Sequence, residues 1–278
     1  MGTGNQTTLT QAVFIPEIWA NEVQKFTEAN LVLASRVKRF DSLVAGKGDV
    51  IHVPKVTEVT TTAKQRNVDV VASASTEGEF TLTVNQHYYA SRILEDIAKI
   101  QANQDLMSIY TQADGYAISK KIDSTIGALI PGLSQITGAY GAALTDATIV
   151  SSIVKLDEAN APESDRHFAI RPAFKGDMLK LDKFVLQYAV GQDRVNTGRI
   201  GEVYGVEVVT STNLPLVDAS PDQASNCMFH RDCFALAMQQ KPRVQSAYRI
   251  EKLGDQLVID AIWGVAEYRD AFGVWVKG

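Results

Sequence analysis

Apolar and polar residues alternate along residues 46–91, with Ile51 and Val53 on an outgoing run and Phe80, Leu82 and Val84 on a returning one. A period of two, enriched in Val and Thr, is the pattern of half-buried strands. It predicts one long β-hairpin with a polar, small-residue tip at residues 64–75. Strands of about 15 residues, rising ~3.3 Å per residue, span roughly 50 Å. A compact chain of this length has a radius of gyration near ~19 Å. The arm is too long to bury inside its own fold and is expected to reach another molecule. Pro54 suits such an arm, because a strand tolerates proline only at an edge or a bulge.

At Ile93 the period changes. From Leu94 and Ile97 through Leu106, Tyr110, Ile122 and Ile126 to Leu129, apolar residues recur at three- and four-residue spacing, with no proline before Pro131. This predicts a single helix over residues 93–130, roughly 57 Å long at ~1.5 Å per residue, acting as a structural beam. Gly115 is a candidate kink within it.

Ahead of the hairpin, AVFIPEIWANEVQKF predicts a short helix opened by Pro16, with Trp19, Val23 and Phe26 on one face. Beyond a glycine-rich break, Thr145 is placed to cap a helix carrying Ile149, Ile153 and Leu156. HFAIRP then reads as a buried strand, AFKGDMLKLDKFV as a helix with Met178, Leu181 and Val185 on one side, and VYGVEVVTSTNLP as a further strand. That order describes a small α/β unit around a central sheet. Three alternating segments, RVQSAYRIEK, DQLVIDAIWGVAEYR and FGVWVKG, close the chain, with a turn expected at Leu253-Gly254-Asp255.

Composition narrows the function classes. With 45% hydrophobic and 21% charged residues among 278, the chain is an ordinary globular one. Its net charge of -5 lacks the basic surplus of a dedicated nucleic-acid binder. Two cysteines exclude a disulfide scaffold and fit a reducing compartment. MGTGNQTTLTQ has neither the basic nor the apolar stretch of a secretion signal, and no apolar run approaches a membrane span, so a soluble cytoplasmic product with no membrane partner is expected.

Candidate chemistry fails on spacing. Gly198, Gly201 and Gly205 precede a strand instead of following one, which makes a turn and not a dinucleotide loop. Gly46-Lys47-Gly48 lacks the first glycine of a phosphate loop and the hydroxyl residue after its lysine. Cys227, His230, Asp232 and Cys233 are zinc-type ligands with no second cluster to complete a site; on one shared strand Cys227 and Cys233 face the same side as Phe229, so core packing of the two cysteines is expected. The four histidines form no triad, and pairs such as Glu95/Asp96 and Asp157/Glu158 read as solvated helix faces. No catalytic, cofactor or metal site is expected.

The order of elements, together with several local patterns, resembles the major capsid protein of tailed bacteriophages. Ile15-Pro16-Glu17-Ile18-Trp19 is similar to that family's N-terminal arm, and Gly48-Asp49-Val50-Ile51-His52-Val53-Pro54 to the strand leading into its extended loop. Gly201-Glu202-Val203-Tyr204-Gly205-Val206-Glu207-Val208-Val209 through Leu214-Pro215 is similar to the heart of its axial domain, and Phe229-His230-Arg231-Asp232 with Ala235 to the next segment of that domain. The resemblance implies an α+β, Hong-Kong-97-type capsid fold. Its parts would be an N-terminal arm at 1–45, an extended loop at 46–91, a peripheral domain with its spine helix at 92–144, an axial domain at 145–230, and C-terminal strands at 231–278 that complete the two sheets.

The same resemblance implies self-assembly through hexamers and pentamers into an icosahedral shell around double-stranded DNA, without sequence-specific binding, in a virion assembled in the host cytoplasm. Scaffolding, portal and decoration proteins are the further partners it suggests. Lys64, Arg66, Asp69 and Glu77 on the loop and Trp19 on the arm are the expected inter-subunit contacts. The competing reading of the loop charges is that they keep an exposed tip soluble. An encapsulin-type nanocompartment shares the implied fold, and a small α/β enzyme is the alternative from another class.

Overall fold

Two main sheets take up most of the strands, and a two-stranded ribbon projects from one of them. The computed structural model describes residues 5–6, 33–44, 48–55, 61–70, 78–101, 106–180, 201–216 and 224–278. The first sheet has at its centre three antiparallel strands: β5 (Gln86–Glu95), β12 (Gly254–Glu267) and β11 (Phe234–Arg249). Two-residue parallel strands flank it, β1 (Asn5–Gln6) on β5 and β2 (Lys38–Arg39) on β11. The helix α3 (Leu106–Gly127) packs across this sheet. Its Ile118, Ile122 and Ile126 belong to the same buried core as Ile259, Ala261 and the fully buried Trp263.

The second sheet has six strands in the order β6 (Gln135–Gly138), β13 (Gly273–Lys277), β10 (Ser225–His230), β7 (Arg166–Ile170), β9 (Val206–Thr210) and β8 (Glu202–Val203). Strands β7 and β9 run parallel, as the helix-and-strand alternation predicts. Thr145 caps α4 (Asp146–Glu158) by accepting the Thr148 N–H at 3.3 Å, and Ile149 and Leu156 are buried beneath that helix. Helix α5 (Pro172–Lys180) buries Phe174 and Met178, while Leu181 and Val185 lie outside the described residues.

Four expectations need correction. The hairpin ladder, β3 (Val50–Lys55) with β4 (Gly78–Thr83), ends before residue 91. Residues 86–95 leave it as β5, because the alternating run of β12 offers them a ten-residue antiparallel partner. Nor does the helix begin at Ile93, which pairs with Gln256 while Leu94 pairs with Asp255. Helix appears only at α2 (Asp96–Gln101) and α3, with residues 102–105 outside the described set. The three-residue spacing from Leu94 to Ile97 is fortuitous, since Leu94 is buried within the sheet and Ile97 is exposed.

The expected strand through Val203 and Val209 is a hairpin. Tyr204 and Gly205, at φ 51 and 78, make the two-residue turn between β8 and β9. Cys227 and Cys233 do not share a strand, because the Cys233 N–H donates to the His230 carbonyl at 2.8 Å in the turn after β10. Both thiols are buried, free and pushed up by desolvation, which makes them packing groups.

Candidate assembly surface

The ribbon divides into a packed base and an exposed tip. At the base, Ile51, Leu82 and Val84 are buried with Val44 of the one-turn helix α1 (Asp41–Val44) against Ala235 and Ala237 of β11. Phe40, Phe80 and Tyr268 close the flank, with Phe80 edge-on to Tyr268 at 5.0 Å and Phe40 edge-on to it at 5.6 Å. Gly264 of β12 sits directly under the chain as it leaves β4, and a Cβ built there would lie 2.9 Å from the Thr83 carbonyl carbon and from the Val84 Cα. Small residues at Ala235, Ala237 and Gly264 thus make a low platform on which the base of the ribbon packs. The Val84 N–H donates to the Asp49 carbonyl at 2.7 Å and completes the join.

Of the tip expected at residues 64–75, residues 71–75 lie outside the described residues, and all ten residues 61–70 are exposed. A turn lies at Arg66-Asn67, with Asn67 at φ 58, a conformation Asn adopts at low cost. Lys64 folds back over this turn and donates to the carbonyls of Gln65, at 2.8 Å, and of Val68. Arg66, Asp69 and the apolar Val68 and Val70 face solvent. Lys64, Arg66 and Asp69 therefore share one exposed turn, whereas Glu77 and Trp19 lie outside the described residues.

Helix α3 holds the segments on both sides of the ribbon. Asp114, almost fully buried, accepts from Arg92 Nε of β5 at 2.7 Å, and the Arg92 guanidinium stacks over Tyr110 at 4.9 Å. Asp123, fully buried, accepts the backbone N–H of Ala34 at 2.8 Å and of Leu33 at 3.4 Å. The two carboxylates are nine residues apart, about two and a half helical turns, so they leave the helix on opposite sides and grip different segments. Neither is legible as an anchor in the sequence, because an acidic residue in an apolar stripe reads as solvated until its partner is known.

A third tie fixes residues 33–37 to the second sheet. Arg36 makes a two-pronged bond to Glu207 of β9, from Nε to Oε2 at 2.9 Å and from Nη2 to Oε1 at 2.6 Å, and His167 Nδ1 lies 2.8 Å from Oε2. The Arg36 bond holds the Glu207 carboxyl at about 2, and burial pushes His167 down. Because the folded-state value for Glu207 lies below its ordinary one, the tie stabilises the fold above about pH 4.5 and loses that contribution as the pH falls through about 2. Glu207→Gln is expected to cost about 1 kcal/mol at pH 7, a modest figure because the carboxylate is nearly half exposed. Urea midpoints of variant and parent should differ at pH 7 and converge near pH 2.

The described residues hold no group of three or more metal-ligating side chains and no helix long and apolar enough to cross a membrane. What they present is surface. Beyond Leu236, the outer edge of β11 has no partner strand among the described residues, and residues 241–249 are exposed throughout.

Comparison with known proteins agrees with a surface-built function. The family model described as "Phage capsid protein" matches residues 89–274. The fold is shared with a solved chain from Mycobacterium phage Che8 at 23% identity and TM-score 0.80, covering 95% of this chain and 97% of that one. It is also shared with a chain from the capsid structure of the Cyanophage P-SCSP1u at 16% identity and TM-score 0.77, covering 100% and 95%. A chain from the capsid of a native GTA particle matches at 11% identity and TM-score 0.67, with 95% of each chain covered. Among curated proteins, none matches the sequence. With two-thirds of its length matched by the model and the Hong-Kong-97-type architecture present, the chain belongs to the phage capsid protein family.

Proposed function

We propose that this chain is the major capsid protein of a tailed bacteriophage, a structural subunit that assembles with copies of itself into an icosahedral shell around double-stranded DNA and performs no catalysis. The observation that carries the reading is the ribbon: a base packed on its own sheet and a tip of ten residues exposed in the single subunit. A closed lattice needs moderate contacts made many times over, and extended arms supply them without a single tight site. In this reading residues 1–45 are an arm, the loop runs from about 46 to 83, and α3 is the spine of a peripheral domain extending to about 144. Residues 145–230 are then the axial domain, and the C-terminal strands complete both sheets.

Lys64, Arg66, Asp69 and Glu77 on the loop and Trp19 on the arm meet neighbouring subunits in hexamers and pentamers. A net charge of -5 suits an inner wall that encloses DNA without gripping it. Scaffolding, portal and decoration proteins are the remaining partners in this scheme, with assembly in the host cytoplasm. The nanocompartment alternative is not favoured by the family match. Sedimentation of the purified chain tests the reading. Fast-sedimenting closed particles are expected, and a species that stays at the mass of one subunit under every assembly condition contradicts it.

A further inference from the structure

The chain passes between its two sheets at two adjacent places. Residues 231–233 lead from β10 of the second sheet to β11 of the first, and residues 268–272 lead back from β12 to β13. The two crossings are tied together, since the Tyr268 and Arg269 N–H groups both donate to the Cys233 carbonyl, at 2.7 and 3.1 Å. The segment at residues 33–40 straps the same joint. There the Lys38 N–H donates to the Arg231 carbonyl at 3.1 Å, and Lys38 Nζ pairs with Asp232 at 3.3 Å.

His230 stands at the centre of this joint. It is 7% exposed, and its ring lies perpendicular to that of Phe272 with centroids 5.6 Å apart, so it reaches from one crossing to the other. Its Nδ1 accepts the Asp232 N–H at 3.1 Å, and its carbonyl accepts the Cys233 N–H at 2.8 Å. Only a neutral imidazole with a bare Nδ1 makes the first of these bonds. A proton on Nδ1 sets donor against donor and adds an ionic charge to a buried site, so the ring has to leave the turn to accept it.

The surrounding charges do not reverse this. Arg166 of β7 stands opposite His230 in the ladder and is held by Asp157 of α4 at 2.7 Å. Arg269 stacks over Phe272 at 5.0 Å, and Arg231 is exposed on the turn itself. Burial pushes the His230 imidazole down, Arg166 and His167 act in the same sense, and Asp232 and Asp165 oppose them without prevailing. Because the folded-state value lies below the ordinary 6.5, the stability held by His230 is complete above about pH 6.5 and is lost as the pH falls through the folded value.

We propose that His230 is an acid-released latch on the joint between the two sheets: protonation at Nδ1 opens the turn at residues 230–233 and loosens the strap at Lys38 with it. The latch does not rest on the shell reading. Hydrogen exchange of the full chain at pH 7.5 and pH 5.5, corrected for intrinsic rates, tests it. Exchange at residues 231–233 and at Lys38, taken relative to α4, should accelerate several-fold towards a limit of about tenfold. His230→Asn offers an Oδ1 acceptor that does not titrate, and should abolish the acceleration, whereas His167→Gln should keep it. A parent chain with no acceleration, or a His230→Asn chain that retains it, overturns the latch. Should His230→Asn fail to fold, nitrogen-15 spectra of the parent's histidine rings decide. One imidazole should hold an unprotonated Nδ1 and charge below the ordinary range, and four rings that all charge near pH 6.5 overturn the proposal.

Discussion

Replacing residues 61–70 with a Gly-Ser pair should leave a subunit that folds and melts like its parent but closes into no shells. All ten residues are exposed, and the hydrogen bonds of Lys64 stay within the turn it caps. Removing them exposes no apolar core, and shortening a surface loop changes its closure entropy by well under ~1 kcal/mol. The base of the ribbon, with Ile51, Leu82 and Val84 buried on β11, is untouched. What disappears is the segment available to reach a neighbour. Circular dichroism and thermal melting check the fold, and electron microscopy checks assembly. A variant that unfolds would show that the tip packs on its own subunit, and one that still forms shells would show that the ribbon is dispensable.

Gly264→Val should have the largest effect on the subunit itself. The built Cβ runs into backbone, at 2.9 Å from the Thr83 carbonyl carbon and the Val84 Cα, so no side-chain rotation relieves it. Either the ribbon lifts from the platform or β12 bends. Overpacking of this kind costs about 1–3 kcal/mol, and partial exposure of Leu82 and Val84 adds about 1.5–3 kcal/mol for each side chain fully lost to water. A destabilisation of about 3 kcal/mol is expected, with a fall in melting temperature of roughly 6–12 °C for a chain of this size. Limited proteolysis should cut near residues 78–84 in the variant before it cuts there in the parent. Gly115→Ala is the matching control. Its Cβ meets nothing within 4 Å and it lies inside α3, so it should be neutral or stabilising by up to about 1 kcal/mol.

Much of this arrangement is legible in the sequence, and the failures have physical causes. Period-two alternation locates the ribbon, and the Thr145 cap and the HFAIRP strand fall where polar and apolar spacing put them. Alternation says that a residue is in a strand without saying which strand pairs with it. Residues 86–91 therefore read as part of the ribbon although β12 holds them. The boundary at Ile93 fails for the same reason, since a sheet partner more than 150 residues distant outweighs a local three-residue spacing.

The exposed tip can be read directly, because charge and small residues without periodicity need no partner to interpret. Its anchors cannot. Asp123 takes its meaning from the backbone of Leu33 and Ala34, Glu207 from Arg36, and Gly264 from the chain that crosses it. A buried carboxylate or a required glycine becomes recognisable only when its distant neighbour is placed. Ile97 is the opposite case: it reads as part of a helix stripe, and only its exposure in the folded subunit marks it as surface.

The central claim is that the ribbon joins one subunit to the next. Electron cryomicroscopy of particles assembled from the purified chain tests it most directly. The account predicts a closed shell in which residues 61–70 of every subunit lie against a neighbouring subunit. Particles in which those residues rest on their own subunit, or protrude into solvent touching nothing, would contradict it.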